Sequence, residues 1–271
     1  MKFIDINTEY KIFQKDINYS LNKVIKKSNF ILGPEVKELE NKLAKFTGSK
    51  YCITTSSGTD GLLLALKSLN LKPNDEIIIP DFAYVSPAEV AALLNLKIKF
   101  VDVNYETFLI DSKKLKKKIT NKTKVIILVS LFGQCPNFSE IRRIIKNKNI
   151  TLIEDAAQSF GAKFKNKNSC NIADISVTSF FPTKTLGSFG DGGAVFTNKK
   201  NIFKKIVYMR NHGQSKKKYI HNYVGFNARL DTIQAAVLLV KLNNIKKLLN
   251  LRKLKANNYF SGLKNNKKII L

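Results

Sequence analysis

Residues 150–162 read ITLIEDAAQSFGA and contain the features that decide the fold. The run of isoleucine, leucine and isoleucine predicts a buried β-strand, and two carboxylates, Glu154 and Asp155, stand where this strand ends. Carboxylates are seldom buried without a partner. Such a residue could cap the following helix, or it could face a cationic ligand at the edge of a sheet. The residues alone leave both interpretations open.

Similar apolar runs recur on both sides of this strand and alternate with longer amphipathic patterns. This alternation predicts an α/β fold with a mainly parallel sheet that helices cover on both faces. In such sheets, ligands bind beyond the carboxyl ends of the strands. The other predicted strands are 51–55, 76–80, 97–103, 124–130, 174–180 and 193–198. The predicted helices are 33–48, 60–70, 86–96 and 139–149, followed by one long helical stretch from about Arg229 to about Phe260.

The composition is that of an ordinary soluble protein. The 271 residues are 44% hydrophobic and 25% charged, and no apolar run is long enough to span a bilayer or to form a signal-peptide core. We therefore expect no membrane partner and a cytoplasmic location. The three cysteines are far apart and the chain has two histidines, which argues against a disulfide framework and against a metal site.

The formal net charge of +27 invites comparison with nucleic-acid-binding proteins, because basic faces bind phosphates by releasing counterions. However, five of the 47 basic residues are arginine, and the lysines are scattered along the chain. No recognisable helix-turn-helix or aromatic-basic pattern accompanies them. We therefore expect solvated lysine faces and no nucleic-acid partner, although a basic surface could attract an anionic small substrate.

Residues 54–66, TTSSGTDGLLLAL, lead from a predicted strand into a predicted helix through Ser57, Gly58 and Thr59. The N–H groups at a helix start, a glycine that permits close approach, and adjacent hydroxyls favour an anion site, with phosphate as the expected anion. The same residues also fit an ordinary helix cap. The stretch matches neither a P-loop nor a G-x-G-x-x-G motif, so it gives no support to ATP or dinucleotide binding.

Residues 179–193, SFFPTKTLGSFGDGG, place Lys184 between an aromatic run and a glycine cluster. Aromatic neighbours would partly desolvate this lysine, which favours the free amine, the nucleophilic form. Ser179 adds a further hydroxyl. A phosphate cup, a carboxylate for a ring cation and an amine that can form a Schiff base are the three groups that pyridoxal phosphate requires. The combination therefore predicts this cofactor.

Eight stretches form an ordered set along nearly the whole chain: FILGPEVKELE (30–40), SSGTDGLLLAL (56–66), IIIPDFAYVSPAEV (77–90), LFGQC (131–135), IEDAAQSFGA (153–162), SFFPTKTLGSFGDGGAVFTN (179–198), RNHGQ (210–214) and GFNARLDTIQAAVL (225–238). This set resembles the DegT/StrS-type nucleotide-sugar aminotransferases, which are fold-type-I enzymes that use pyridoxal phosphate. Agreement over so many collinear segments is far more specific than any one of them.

The resemblance implies a role for each residue at a matching position. Lys184 matches the lysine that carries pyridoxal phosphate as a Schiff base, and Asp155 matches the partner of the pyridine nitrogen. Gln158 matches a residue near the ring hydroxyl. Tyr84 matches the aromatic residue that stacks on the ring, with an ordinary core tyrosine as the alternative. The residues that match the phosphate contacts are Ser57, Gly58, Thr59 and Ser179.

Three further residues lie in the last two of these stretches. Asn227 matches a residue that reaches the phosphate of the neighbouring subunit, so the resemblance implies a homodimer with shared active sites. His212 and Arg229 are candidate substrate contacts. His212 could instead order its own loop.

The implied reaction passes an amino group from L-glutamate to the cofactor and then to a keto group of a nucleotide-linked sugar, as in amino-sugar biosynthesis for surface polysaccharide. Two alternatives stay open. Relatives with histidine in place of the lysine dehydrate sugars, and the lysine at position 184 argues against this reaction. A catalytically impaired or regulatory member of the family would bind the cofactor without turnover.

The resemblance also implies a fold-type-I transferase with a mainly parallel, seven-stranded sheet. Residues 1–240 would form the large cofactor-binding domain, including an N-terminal arm, and residues 241–271 a linking helix and the start of a truncated C-terminal domain. A small C-terminal domain follows in the family, and we expect it to be largely missing here. The last stretch, NNKKIIL (265–271), is similar to the start of a strand, which would need partners to be stable.

Overall fold

Seven strands form one sheet, and a short hairpin lies outside it. The computed structural model describes residues 5–215, 217 and 219–270. The strands of the sheet are β1 (Tyr51–Thr55), β2 (Glu76–Pro80), β3 (Lys97–Val101), β4 (Thr123–Val129), β5 (Thr151–Asp155), β8 (Ile175–Ser179) and β9 (Gly193–Thr197). The hairpin consists of β6 (Lys163–Phe164) and β7 (Lys167–Asn168).

The helices lie on both faces of this sheet and beyond its last strand. They are α1 (Ile6–Lys27), α2 (Pro34–Thr47), α3 (Gly58–Ser68), α4 (Ser86–Leu93), α5 (Ser112–Lys118), α6 (Phe138–Ile144), α7 (Lys200–Met209), α8 (Thr232–Asn243) and α9 (Ile245–Leu263). Within the described residues, no helix is both long and apolar enough to cross a membrane. In the same part of the chain, no group of three or more His, Cys, Asp or Glu side chains could hold a metal ion.

The strand order β1-β9-β8-β5-β4-β2-β3 brings the carboxyl ends of six strands to one edge. Neighbours from β8 to β3 pair in parallel, whereas β9 runs antiparallel between β8 and β1. Because β9 is reversed, its first residue, Gly193, lies at the same edge, opposite Thr55 on one side and Ser179 on the other. Asp155, the last residue of β5, is in register with Val177 of β8. This edge therefore collects most of the predicted site residues.

Two apolar layers sandwich the sheet, because successive side chains of a strand point to opposite faces. On one face, Ile53 and Ile153 pack with α3, α4 and α7. On the other face, α1, α2 and α8 cover the β1–β9 side, and α5 and α6 cover the β2–β4 side. Leu62, Leu64 and Leu66 of α3 are all buried, and each such side chain contributes roughly 1.5–3 kcal/mol. Helix α3 therefore holds its start firmly against the sheet edge.

The seven predicted strands are confirmed: two have the predicted ends, and the ends of the others differ by at most two residues. The four separate predicted helices are also present, although the fourth ends at Ile144 rather than at residue 149. Three helices escaped prediction: α1, α5 and α7. Helix α1 buries Phe13, Ile17 and Val24 within 22 residues, so its apolar pattern is too sparse to stand out.

The single helical stretch expected from Arg229 to Phe260 is wrong, because it breaks at Asn244. The Asn244 side chain donates from Nδ2 to the Val240 carbonyl at 3.0 Å, and this local bond competes with the helix. The strand expected at 265–271 is wrong for residues 265–270, which form exposed turns after α9; residue 271 lies outside the described residues. The domain boundary after residue 240, which falls within α8, stays a prediction.

Candidate active site

The turn between β1 and α3 forms a cup of hydrogen-bond donors at the shared edge of the sheet. Ser57 caps α3, and its Oγ accepts the N–H of Asp60 at 3.0 Å. Gly58 and Thr59 are the first residues of the helix, so their N–H groups have no intrahelical acceptor. The positive end of the helix dipole adds to these donors. The arrangement suits a bound phosphate group.

Two glycines let the neighbouring strands lie directly against this cup. A Cβ on Gly193 would lie 2.5 Å from the carbonyl carbon and oxygen of Ser57, where no side chain fits. A Cβ on Gly58 would lie 3.0 Å from Ser179 Cβ. The structure therefore brings Ser57, Gly58 and Ser179 side by side, although they come from different strands.

Ser86 joins the cup to the segment that carries Tyr84. Ser86 is buried at the start of α4, and its Oγ lies 2.7 Å from Thr59 Oγ1. Tyr84, two residues earlier, is 75% exposed, so the alternative that it is an ordinary core tyrosine is wrong. Its ring is free to cover a ligand at the sheet edge. Sequence reasoning missed Ser86, although its hydroxyl lies within one of the stretches that resemble the family.

The two carboxylates at the end of β5 point to opposite faces and have different surroundings. Glu154 is fully buried and accepts four hydrogen bonds, so the core uses all of its bonding capacity. Its donors are Ser130 Oγ at 3.0 Å, Ser169 Oγ at 2.8 Å, Ser176 Oγ at 2.9 Å and the Cys170 N–H at 2.9 Å. Asp155 follows Ile153 on the α3 face, and the Ala157 N–H, 3.0 Å from Oδ1, is its one donor among the described residues. Asp155 therefore keeps an oxygen for a ligand, and Glu154 does not.

Burial raises the pKa of Asp155, because desolvation disfavours the charged carboxylate. The Ala157 N–H and the Lys184 ammonium act in the opposite direction and lower this pKa. Lys184 is half-buried in the turn after β8, where its N–H donates to the Phe181 carbonyl at 2.9 Å. Lys184 is therefore close enough to Asp155 for its charge to lower the pKa of that carboxyl group.

We expect the substitution Asp155→Asn to raise the melting temperature of the ligand-free chain at pH 7. Folding raises the pKa of Asp155, so this carboxyl group stabilises the fold at pH values below its unfolded pKa of about 3.9. The stabilisation is lost as the pH rises through the folded pKa. Asparagine does not ionise, so the gain should be present at pH 7 and shrink towards pH 4. Each kcal/mol gained in the free energy of unfolding raises the melting temperature by roughly 2–4 °C. Melting temperatures of the wild type and of Asp155→Asn, measured between pH 4 and pH 7, test this expectation.

Glu154→Gln is the matched control, since it makes the same chemical change at the neighbouring residue. The amide replaces one acceptor oxygen with a donor, and each Glu154 oxygen accepts two of the four hydrogen bonds, so two donors lose their acceptor and the melting temperature falls. An Asp155→Asn variant that is destabilised as strongly as Glu154→Gln would contradict the assignment of Asp155 as the loosely held carboxylate.

Gln158 lies at the margin of an exposed aromatic row. Its Oε1 accepts the N–H of Phe132 at 2.9 Å, and Phe132 has a left-handed backbone with φ +54°. The rings of Phe82 and Phe108 lie 5.3 Å apart, and those of Phe108 and Phe132 lie 6.2 Å apart. The Gln158 side chain is therefore held at the border of an exposed apolar surface.

Asn227 and Arg229 belong to a segment that is hydrogen-bonded to the start of α3. The Ser56 N–H donates to the Ala228 carbonyl at 3.1 Å. Arg229 donates from Nε to Asn227 Oδ1 at 3.0 Å and from Nη1 to Asn211 Oδ1 at 3.1 Å. Asn227 is itself exposed. Arg229 thus orients Asn227, while the reach of Asn227 to a neighbouring subunit stays a prediction.

His212 takes part in ordering its own loop through its backbone. Its residue has a left-handed φ of +58°, its N–H donates to the Phe226 carbonyl at 2.9 Å, and its carbonyl accepts from His221 Nδ1 at 2.9 Å. The imidazole is exposed. Contact between this imidazole and a substrate stays a prediction.

Arg210 and Glu40 form a buried ion pair behind the cup that sequence reasoning missed. Arg210, 7% exposed, directs Nη1 to Glu40 Oε1 and to the carbonyl of Thr54 at 2.9 Å. Its own carbonyl accepts the N–H of Ala228 at 3.0 Å, so it also ties the Asn227 segment to β1. The amino-acid composition could have pointed to Arg210. Arginine is rare in this chain, with five among 47 basic residues, so each arginine is a candidate for a specific contact.

The sequence profile of the DegT/DnrJ/EryC1/StrS aminotransferase family matches residues 11–271. The chain belongs to this family. Over 264 residues it is 45% identical to the UDP-2-acetamido-2-deoxy-3-oxo-D-glucuronate aminotransferase of Pseudomonas aeruginosa, an alignment that covers 97% of this chain and 73% of that relative. The family predicted from the ordered stretches is therefore confirmed.

Solved structures with similar sequences have the same fold. A family aminotransferase from Brucella abortus superposes with a TM-score of 0.95 at 35% identity, over 98% of this chain and 73% of the other. A Bacillus subtilis protein solved with bound cofactor PMP superposes with a TM-score of 0.88 at 31% identity, over 98% of this chain and 62% of the other. The predicted fold-type-I architecture, with its mostly parallel seven-stranded sheet, is confirmed.

Proposed function

We propose that this chain is a pyridoxal-phosphate-dependent aminotransferase that moves an amino group from L-glutamate to a keto group of a nucleotide-linked sugar. One observation carries the proposal: Asp155, Lys184 and the cup of Ser57, Gly58 and Thr59 share one edge of the sheet. Membership of an aminotransferase family and 45% identity to an enzyme named for a UDP-linked 3-oxo sugar support the class of reaction and substrate.

The residues at this edge fit the groups that pyridoxal phosphate presents. Free N–H groups at the start of α3 suit the phosphate, and Gly58 keeps side-chain atoms out of the cup. A protonated ring nitrogen would place a positive charge beside the buried Asp155 carboxylate and offset its desolvation. The exposed ring of Tyr84 is available to stack on the cofactor ring. Phosphate, ring nitrogen and ring face each have a partner among this chain's residues.

Each residue then has a task in the reaction. When bound, pyridoxal phosphate supplies an electron sink for bond changes at the substrate Cα. Asp155 holds the proton on the ring nitrogen through a charge-assisted hydrogen bond. The Lys184 amine would take the proton from the Cα of glutamate and deliver it to C4′ of the cofactor, and with the keto sugar it would move a proton in the reverse direction, onto the sugar carbon that receives the nitrogen. Ser57, Thr59 and Ser179 bind the phosphate, which keeps the ring in register with Lys184.

We propose a UDP-linked 3-keto sugar as the amino acceptor, on the strength of the 45% identical relative. The diphosphate of such a sugar is anionic, and the net charge of +27 favours its approach. Arg229 and the exposed His212 are the candidate substrate contacts, and Gln158 is the candidate contact to the ring hydroxyl. In the homodimer that we propose, the exposed Asn227 of one subunit reaches the phosphate in the other.

Assays with L-glutamate, pyridoxal phosphate and a panel of keto-sugar nucleotides test the proposal. We expect 2-oxoglutarate to form with a UDP-linked 3-keto sugar at least about tenfold faster than with dTDP- or GDP-linked 4-keto sugars, since pocket contacts discriminate by this order. Cofactor binding without conversion of any acceptor would identify an impaired or regulatory protein. Loss of a sugar hydroxyl without gain of nitrogen would identify a dehydratase. Either result would overturn the proposed reaction.

A further inference from the structure

Lys241 is a lysine in the core of the molecule. It lies on α8 with 1% exposure, and its Nζ is 2.8 Å from Glu9 Oε1 on α1. Within the described residues, Glu9 provides the one carboxylate at ion-pair distance from Lys241. Lysine is almost never fully buried without such a partner, because an isolated charge in the core is costly. The Glu9–Lys241 pair is therefore a built feature of the contact between α1 and α8.

The same lysine also contacts Phe189, which lies in the glycine-rich stretch after Lys184. Lys241 Nζ lies 5.5 Å from the centre of the Phe189 ring, within the range of a cation–π interaction. Tyr10 of α1 meets this ring edge to face at 5.7 Å, and the Phe189 N–H donates to Gln234 Oε1 of α8 at 2.8 Å. Phe189 is thus held by both helices at once.

The lysine loop, residues 180–193, links Phe189 to Lys184 through short internal bonds. The Ser188 N–H donates to the Phe180 carbonyl at 2.8 Å, and Ser188 Oγ lies 2.7 Å from the carbonyl oxygens of Phe180 and Gly190. These bonds close the loop at the end of β8, with Lys184 between the two anchored ends. A shift of Phe189 is therefore passed to Lys184 through a few closely bonded residues.

We propose that the Glu9–Lys241 pair is a positioning device: by fixing Phe189, it holds the lysine loop so that Lys184 faces Asp155. We call the contacts of Lys241 with Glu9 and Phe189 the clamp. The role of Lys184 rests on the proposed function, whereas the clamp is a property of the ligand-free chain. Glu9, Lys241 and Phe189 lie outside the phosphate cup and act through Lys184 rather than on a ligand. The N-terminal helix α1 thereby becomes part of the active site's support.

The chemistry of the pair favours positioning over stability. An apolar pair of similar volume at a buried site is often as stable as an ion pair, or more so. An ion pair differs from an apolar pair because it holds the ammonium at one point, here above the Phe189 ring. A methionine at position 241 would fill the same space without a charge for Glu9, and its thioether attracts an aromatic ring less strongly than a desolvated ammonium does. The Glu9 side chain is 22% exposed, unlike that of Glu40, so its carboxylate can turn towards water when Lys241 is replaced. The fold should therefore survive this change, while the lysine loop should lose its anchor.

Hydrogen–deuterium exchange of the full chain, followed by mass spectrometry, tests the clamp in the variant Lys241→Met. We expect residues 185–190 to exchange about tenfold faster than in the wild type, since loss of a desolvated cation–π contact of this strength shifts a local opening equilibrium by that factor. Exchange in β4 and α6 should stay unchanged. We also expect slower capture of pyridoxal phosphate at Lys184, measured by borohydride reduction and peptide mapping.

Lys42→Met is the matched control. Lys42 also pairs with a glutamate, Glu38, and also contacts α8, through Asn243. Lys42 is more exposed than Lys241, and neither of these partners belongs to the lysine loop. Its exchange and capture rates should equal those of the wild type. If Lys241→Met matches this control in both measurements, the clamp is refuted.

Phe189→Leu provides a second route if Lys241→Met does not fold. Phe189 is 39% exposed, so its replacement should leave the core intact while removing the ring that Lys241 and Tyr10 contact. Faster exchange at 185–190 in this variant supports the clamp, and wild-type exchange overturns it. Absence of capture at Lys184 in the wild-type chain would instead refute the proposed function, and the exchange comparison would still decide the clamp.

Discussion

Replacement of Lys184 by alanine is expected to abolish amino-group transfer. In the proposed reaction this amine is the one group at the sheet edge that both holds the cofactor and moves the proton at the substrate Cα. Loss of a positioned acid–base group typically costs 10²–10⁴-fold, so kcat should fall by at least about 10³-fold. Phosphate binding by the cup should persist, because Ser57, Gly58 and Thr59 bind independently of the lysine. The expected variant therefore binds the cofactor but does not turn over.

The measurement is 2-oxoglutarate release with the best acceptor from the nucleotide-sugar panel, alongside peptide mapping after borohydride reduction. Lys199→Ala is a suitable control, since Lys199 is an exposed lysine paired with Asp174 at the other end of β9. It should keep wild-type activity and wild-type labelling at Lys184. A Lys184→Ala protein that retains more than about a tenth of the wild-type kcat would remove Lys184 from the mechanism.

The common edge of the site could be predicted from sequence because parallel strands end on the same side of a sheet. Asp155, Ser57 and Ser179 each follow or finish an apolar run, so the fold class alone places them near one another. The register of β9 could not be predicted in this way. Its reversal brings Gly193 against Ser57, and only the pairing of β9 with both β1 and β8 reveals that contact.

The residues alone left open which of Glu154 and Asp155 faces a ligand; the family resemblance pointed to Asp155, and the structure supplies the physical reason. Alternation guarantees that the two side chains face opposite layers, but it does not say which layer contains α3. The donors that satisfy Glu154 come from β8, from the end of β4 and from the segment after the β6–β7 hairpin, which no local pattern connects. Glu9 and Lys241 pose the same difficulty, since their pairing joins the first and the eighth helix.

The buried pair of Arg210 and Glu40 should dominate the stability of the region behind the cup. We expect Arg210→Met to lower the free energy of unfolding by about 3–5 kcal/mol, because it leaves the Glu40 carboxylate uncompensated in the core. Urea denaturation measures this loss. The exposed pair of Lys42 and Glu38 provides the comparison, and Lys42→Met should cost at most about 1 kcal/mol.

The geometry of the pair makes a sharper prediction for Arg210→Lys. Arg210 uses Nη1 for its contacts to Glu40 and Thr54, while its Nε has no hydrogen-bond partner among the described residues. A lysine ammonium ends near the Cζ position, one bond short of Nη1, but it keeps the positive charge beside Glu40, so Arg210→Lys should cost clearly less than Arg210→Met. The double variant Glu40→Leu with Arg210→Met should also be more stable than Arg210→Met alone, since it removes the stranded charge. If the double variant is no more stable than Arg210→Met, packing around the guanidinium, and not its charge, is what holds this region together.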